Sequence, residues 1–315
     1  MNNNTETSES WDRRYLRLPR MVAGWSKDPS TQCGAVLVRP DNTLSSVGYN
    51  GFPRGADDRP ALYADRAAKY PRIIHSEWNA ISNTHDPDLT GYTVYAWPMP
   101  PCNQCTGALI QKKIGRYVQP TPTADKLERW GKAFDYARGM LEQKQARVDY
   151  IELEEKTTGW TPNFDASTNI WSRRFLLMAR EICSWSKDHL DPRGAVLVRA
   201  DKTIASIGFS GLPQGVDDSP LENGDPEARD IMRISAERNA LLFSKDPTHE
   251  GHVAYLWPGP PNLDAISHLV HQGSRTIVYP LRAGQADMTP EARGWLEGMS
   301  GKAVAIKWSQ LVGSP

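Results

Sequence analysis

The sequence predicts an α/β protein in which one domain occurs twice. A run of residue identities returns at constant spacing, and within each copy short apolar, strand-forming runs alternate with segments of helical period. Size agrees, because 315 residues exceed one ordinary domain and suit two.

The spacing is 160 residues, from Trp25-Ser26-Lys27-Asp28 to Trp185-Ser186-Lys187-Asp188 and from Gly34-Ala35-Val36-Leu37-Val38-Arg39 to Gly194-Ala195-Val196-Leu197-Val198-Arg199. It continues without a gap from Trp11 (Trp171) to Pro120 (Pro280) and carries Glu77 onto Glu237 and Trp97-Pro98 onto Trp257-Pro258. This predicts a polar, disordered tail over 1–10, a first domain over 11–151, a linker over 152–168 rich in polar and turn-forming residues, and a second domain over 169–315.

In the first copy the apolar run 34–38 and residues 44–49 flank an Asp41-Asn42 turn, which predicts a hairpin of buried strands. Residues 75–83 read as a helix stopped by Asp86-Pro87, and 92–97 as a strand rich in aromatic and β-branched residues. Pro100-Pro101 opens a helix over 102–113. Leu127, Trp130, Phe134, Ala137 and Leu141 lie on one face of a further helix, and 148–153 supplies a last strand.

Composition narrows the function. Lys+Arg and Asp+Glu are 37 each, without the basic excess that nucleic-acid binding usually brings. No stretch approaches the ~20 apolar residues of a membrane span, and Met1 to Thr7 has neither the basic nor the apolar region of a secretory signal. Four cysteines are too few for a disulfide framework. These features predict a soluble protein of a reducing compartment, the cytoplasm, with neither membrane nor nucleic acid as partner.

The chemistry concentrates in His75-Ser76-Glu77 and Pro101-Cys102-Asn103-Gln104-Cys105, an H-x-E…P-C-x-x-C pattern that marks zinc nucleobase deaminases. Two thiolates three residues apart at a helix start reach one ion, and the helix N-terminus favours their ionised form. One imidazole makes three ligands and leaves the fourth position to water. Two thiolates offset the charge of Zn²⁺, so a nearby base is needed, and Glu77 is placed to be it. Cys33 is the other candidate ligand, read instead as a core thiol, and His85 as solvent-exposed.

Over roughly residues 25–120 the first copy resembles the deoxycytidylate deaminases of the zinc-dependent cytidine deaminase superfamily. The resemblance rests on the zinc motif, on Ser26 to Gln32 with Gly34-Ala35-Val36, on Gly48-Tyr49-Asn50-Gly51-Phe52-Pro53-Arg54-Gly55, and on Lys69-Tyr70-Pro71 and Asn79-Ala80-Ile81. It implies two tandem α/β/α sandwiches, each a mixed sheet of about five strands flanked by helices. It further implies zinc on His75, Cys102 and Cys105, Glu77 as the acid/base, and hydrolysis of dCMP to dUMP. Substrate contacts would come from Asn50 to the deoxyribose, from Ser26 and Lys27 in the opening segment with Lys27 toward the 5′-phosphate, and from Trp97 beside the exocyclic amine. Ser76 stands where the family has Ala, and Pro98-Met99-Pro100 departs from the family at the wall over the base, which keeps a modified cytosine open. The other readings are dCTP deamination with Arg54, Arg59, Arg66 and Arg72 as extra cations, a polynucleotide-editing deaminase, and a non-catalytic nucleotide-sensing protein.

Carried over by the repeat, the site is lost in the second copy. His75 becomes Ser235, Cys102 becomes Asn262, Cys105 becomes Ala265 and Asn50 becomes Ser210, while Glu237 remains. His268 and His271 fall outside the motif positions. Serine, asparagine and alanine do not hold zinc tightly, so the expectation is one Zn²⁺ per chain, in the first domain, and a pseudo-deaminase after it. That copy serves either as a structural partner in an assembly, since the family forms homo-oligomers, or as a nucleotide effector site. Gly208-Phe209-Ser210-Gly211 keeps the turn and drops the Asn, which favours the structural role.

Overall fold

The computed structural model of the chain describes residues 8–153 and 169–307, and it divides into two compact units, Met1–Glu155 and Lys156–Pro315. The expected tail over 1–7 and most of the expected linker, 154–168, lie outside the described residues. Residues 8–10, read from the sequence as part of the tail, begin a helix. No described helix is long and apolar enough to cross a membrane.

The first unit runs α1 (Ser8–Ala23), β1 (Gly34–Val38), β2 (Leu44–Tyr49), α2 (Pro60–Ala64), α3 (Arg66–Lys69), α4 (Ser76–Asn83), β3 (Thr93–Trp97), α5 (Asn103–Gln111), β4 (Arg116–Gln119), α6 (Ala124–Gln143) and β5 (Arg147–Tyr150). Its sheet has the order β2-β1-β3-β4-β5. β1 is antiparallel to both β2 and β3, while β3, β4 and β5 are parallel. Every residue of β1 is buried, as a strand covered on both faces requires. Ala35 and Leu37 face the cluster built by Ala80 of α4, Leu109 of α5 and Leu141 of α6. The alternate residues face α1, whose Tyr15 packs at a tilt against Tyr95 of β3, ring centroids 5.4 Å apart. Helices therefore cover both faces of one mixed sheet.

Two glycines permit this close layering. A Cβ on Gly34 would lie 2.0 Å from the Pro19 carbonyl oxygen of α1, and one on Gly48 2.2 Å from that of Ser76 in α4. Charged groups fasten the edges. Arg116 forks onto both oxygens of Asp12 at 2.7 and 2.6 Å, tying α1 to the sheet. Arg39 grips Asp86 at 2.8 and 3.1 Å, tying the hairpin to the turn after α4.

The second unit repeats the plan with α7 (Ile170–Cys183), β6 (Gly194–Val198), β7 (Ile204–Phe209), α8 (Ser219–Glu222), α9 (Pro226–Met232), α10 (Ala236–Phe243), β8 (Val253–Trp257), α11 (Leu263–His271), β9 (Thr276–Leu281), α12 (Pro290–Gly298) and β10 (Lys302–Lys307). Read from β7, the sheet is β7-β6-β8-β9-β10, and Gly194 pairs Phe209 just as Gly34 pairs Tyr49. Two mixed five-stranded sheets flanked by helices are thus present, as the resemblance implies.

The sequence reading differs in two places. It did not foresee α1, whose apolar residues are interrupted by six charged ones and by Pro19. On α6 it expected one inward face, but only Phe134, Ala137 and Leu141 are buried, whereas Leu127 is 47% exposed. The early turns of α6 border a cavity instead of the sheet, and Trp130 lines that cavity.

Candidate metal centre

Two helix starts meet at one point. Gly51 and Ile74 form a two-way backbone bridge of 3.0 and 2.8 Å, and the Asn79 amide reaches the Tyr49 carbonyl at 2.7 Å. These contacts hold the entry of α4 against the end of β2. His75 is the N-cap of α4 and Cys102 the N-cap of α5, yet neither side chain caps its helix. Both side chains turn to each other. Cys102 Sγ lies 3.4 Å and Cys105 Sγ 3.3 Å from His75 Nδ1, and all three donor atoms fall within 4.8 Å of one another.

That arrangement fits zinc. Bond lengths of about 2.3 Å to sulfur and 2.0–2.1 Å to nitrogen, at a tetrahedral angle, put N and S about 3.5 Å apart. The donors are two sulfurs and one imidazole, which suit this ion. One thiol is already acidic: hydrogen bonds from Cys105 and His75 hold Cys102 down at about 4, against its burial. Cys105 is pushed up by its bond to the Cys102 sulfur and by burial. His75 is raised, first by its bond to Cys102. Cys33 is not part of this cluster. It lines the cavity rather than the core, and burial raises its thiol.

Glu77 is buried in the first turn of α4, with Ser76 Oγ donating to its Oε2 at 3.0 Å. Burial raises its carboxyl above the ordinary range. Glu77, His75 and Cys102 share the wall of a cavity of about 240 Å³ with the apolar Trp97, Met99 and Phe134. Its size and mixed lining suit one small planar ligand.

Of the expected substrate contacts, Asn50 and Trp97 line this cavity, whereas Ser26 and Lys27 are not in its lining. Asn50 is held by its own loop, its Oδ1 accepting from Cys33 N at 2.7 Å and its Nδ2 donating to the Thr31 carbonyl at 2.9 Å. Ser26 Oγ braces the same loop by donating to the Asn50 carbonyl at 2.8 Å. Lys27 is 62% exposed and bound to Asp58 at 2.5 Å.

The sequence reading gave no role to the buried Lys69–Asp28 pair at 3.0 Å, nor to Tyr70 and Arg129, all of which line the cavity. Arg129 donates to the Tyr70 hydroxyl at 3.2 Å and lowers its pKa. Lys69-Tyr70-Pro71 had stood out only as part of a resemblance. Nothing local in the sequence marks Arg129, which is one exposed cation among several on α6.

In the second unit the corresponding positions do different work. Ser235 and Asn262 cap α10 and α11, Ser235 accepting from Arg238 N at 3.4 Å and Asn262 Oδ1 from Ala265 N at 2.9 Å. Ala265 is buried. Glu237 is buried too, with an Oε2 that finds no partner among the described residues. Among the described residues, His75, Cys102 and Cys105 form the one cluster of metal-ligating type; His268 instead bonds the Asp264 carbonyl at 2.8 Å. Arg193 stands at the position of Cys33 and reaches the Pro260 carbonyl at 3.2 Å. Arg233 stands at the position of Ile73 and binds Asp188 and Asp191 at 3.1 and 2.9 Å.

Residues 9–120 match the family described as the cytidine and deoxycytidylate deaminase zinc-binding region. A protein of Aliivibrio fischeri named as an uncharacterized deaminase in the luxG 3′ region is 36% identical over 144 residues, covering 46% of this chain and 95% of that one. A probable deoxycytidylate deaminase of Caenorhabditis elegans is 37% identical over 144 residues, covering 45% of this chain and 68% of its own length. The mouse deoxycytidylate deaminase is 36% identical over 113 residues, 34% of this chain and 63% of that one. Among solved structures, the dCMP deaminase of cyanophage S-TIM5 in complex with dCMP and dUMP aligns over 46% of this chain and all of its own, with 17% identity and a TM-score of 0.39.

Proposed function

Because the chain belongs to the cytidine and deoxycytidylate deaminase family, we propose that its first unit hydrolyses dCMP to dUMP and ammonia. The observation that carries this reading is the meeting of His75, Cys102 and Cys105 in the same neighbourhood as a buried Glu77, beside a cavity sized for one pyrimidine. The relatives named as deoxycytidylate deaminases supply the substrate.

His75 Nδ1 and the Cys102 and Cys105 sulfurs would hold the zinc ion, whose Lewis acidity brings a water proton within reach of a carboxylate. Glu77 does the proton work. It takes a proton from the attacking water and passes it to N3 of cytosine as the C4–O bond forms. It then takes the remaining proton of the added hydroxyl and delivers it to the exocyclic amine, as the C4=O bond forms, the C4–N4 bond breaks and ammonia leaves. A carboxyl whose affinity for protons is raised by burial is suited to carrying them in both directions. Trp97, Met99 and Phe134 give the base an apolar slot and limit access of bulk water. Asn50 is pre-positioned by its two backbone bonds, and the second lone pair of its Oδ1 is available to a sugar hydroxyl.

The second unit is read as a metal-free, catalytically silent structural partner. Helix capping supports this, because Ser235 and Asn262 spend on α10 and α11 the polar atoms that a metal would need. The arginines support it as well, since Arg193 and Arg233 place paired guanidiniums where the first unit has Cys33 and Ile73 in its cavity wall. A nucleotide effector would have to displace that network.

The test is elemental analysis of the purified full chain together with its turnover of dCMP. One equivalent of zinc per chain and dUMP formation are expected. Two equivalents would overturn the assignment of the second unit, and zinc without deamination of any cytosine nucleotide would overturn the activity.

A further inference from the structure

The turn that joins α10 to β8 carries two buried histidines at positions where the first unit has a leucine and a tyrosine. By the 160-residue spacing His249 answers to Leu89 and His252 to Tyr92, while Arg199 and Asp246 repeat Arg39 and Asp86. We propose that His249 makes this turn an acid-released latch: a proton on its ring opens residues 244–252 and loosens the clamp of Arg199 on Asp246, which ties the β6–β7 hairpin to the turn.

The two rings are placed for opposite responses to a proton. His249 is 4% exposed, and neither of its ring nitrogens has a hydrogen-bond partner among the described residues. Its ring packs edge-on against His252, with centroids 5.2 Å apart. His252 has its Nε2 2.7 Å from Asp246 Oδ2 and its Nδ1 3.3 Å from the Glu250 carbonyl oxygen, so both of its nitrogens face acceptors. A second proton on His249 instead creates a buried cation with nothing to receive it, and exposure to water is the way to relieve that.

The surroundings offer no rescue. The charged and titratable groups acting on His249 are His252 and Asp246 on its own turn and Arg199 after β6. Burial lowers its affinity for a proton first, and His252 adds to this. Asp246 opposes it, but that carboxylate is already shared by the Arg199 fork at 2.7 and 2.7 Å and by His252. Lys245 and Glu250, the other charged residues of the turn, are exposed. The segment after α11 meets the turn without charge, the Gln272 carbonyl accepting from His249 N at 3.0 Å and Ser274 Oγ donating to the His252 carbonyl at 3.2 Å; its neighbours His271 and Arg275 are exposed. In the first unit the same turn closes on Leu89, buried among apolar side chains, and on Tyr92, whose hydroxyl donates to Asp86 at 3.0 Å. Neither takes up a proton in mild acid.

A group held below its unfolded value contributes stability that is complete above that value, about 6.5 for histidine, and is lost as the pH falls below it. The experiment is hydrogen exchange of the purified full chain, resolved by peptide from about pH 7.5 to about pH 5 and corrected for the intrinsic pH dependence of exchange. In the wild type the opening constant of residues 244–252 should rise by up to about tenfold per pH unit below about 6.5, the limit for one proton taken up, while residues 84–92 stay level. His249→Leu, the first unit's own residue, should make the profile of 244–252 level too; His249→Gln, neutral at every pH, gives the same test if the leucine variant does not fold. His252→Tyr keeps a partner for Asp246 and removes a neighbouring charge, so a smaller rise should remain. A wild-type turn no more open in acid than at neutrality overturns the proposal without any variant. So does a neutral residue at 249 that leaves the rise intact, or a His252→Tyr chain in which the rise disappears, since the proton would then belong to His252. None of these readouts uses turnover of a nucleotide.

Discussion

Glu77→Gln isolates the proton chemistry with little change of shape. The amide keeps an oxygen for the 3.0 Å bond from Ser76 Oγ, and it leaves His75, Cys102 and Cys105, the cluster of donor atoms within 4.8 Å, untouched. Zinc content should therefore match the wild type. What disappears is a carboxyl serving two successive transfers, to N3 and to the leaving amine. Each positioned acid–base step is worth roughly 10²–10⁴ in rate, so kcat on dCMP should fall at least about 10³-fold, roughly 4 kcal/mol of barrier. Stability should move the other way. Burial raises the Glu77 carboxyl in the folded metal-free chain, so the ionised form costs folding energy once the pH passes above its unfolded value, and the full cost is present above the folded value. Glutamine carries no such cost, and the metal-free variant should melt no lower than the metal-free wild type at pH 7. The assays are conversion of dCMP to dUMP, zinc content and thermal unfolding, on one preparation. A zinc-loaded Glu77→Gln chain within tenfold of wild-type kcat would refute the assignment of Glu77.

Two further predictions concern the second unit. Asn262→Ala removes the 2.9 Å cap on α11 and should cost about 1 kcal/mol, seen as a lower midpoint in denaturant unfolding with zinc content unchanged; no shift would mean the cap has not replaced the metal as the fastening of that helix. Asp246 is held at about 2, its burial outweighed by hydrogen bonds from Arg199 and His252. A depressed carboxyl contributes stability above its unfolded value near 3.9 and loses it as the pH falls through the folded value, here about 2 kcal/mol spread between roughly pH 4 and pH 2. Asp246→Asn should lower stability at pH 7 and flatten that acid limb, and an unchanged pH profile would show the ion pair to be of little consequence.

The metal-binding pattern was legible because it is local. Cys102 and Cys105 are one turn apart on α5, and His75 and Glu77 open α4, so helix geometry alone fixes most of their relations. The repeat was equally plain, and with it the loss of donors at Ser235, Asn262 and Ala265. The capping role of Ser235 and Asn262 was open to inference too, since both are favoured N-cap residues at predicted helix starts. Lys27 shows where this kind of reading stops. Its place in a family-like segment suggested a phosphate contact, but its ion pair with Asp58, 31 residues away, is set by the fold and cannot be read from the sequence.

The sequence by itself determined the duplicated α/β plan and the H-x-E and C-x-x-C motifs, present in the first copy and replaced in the second, because identities at fixed spacing and residues within a helical turn are written along the chain. Only the tertiary structure decided which residues border the cavity. Asp28, Lys69, Arg129 and Trp130 are brought to one cavity from a loop, α3 and α6, and neither period nor propensity encodes a meeting between residues up to a hundred positions apart. The structure also shows which cations sit against a carboxylate, Lys27 on Asp58 and Lys69 on Asp28, since charge alone, read from sequence, does not say what it faces.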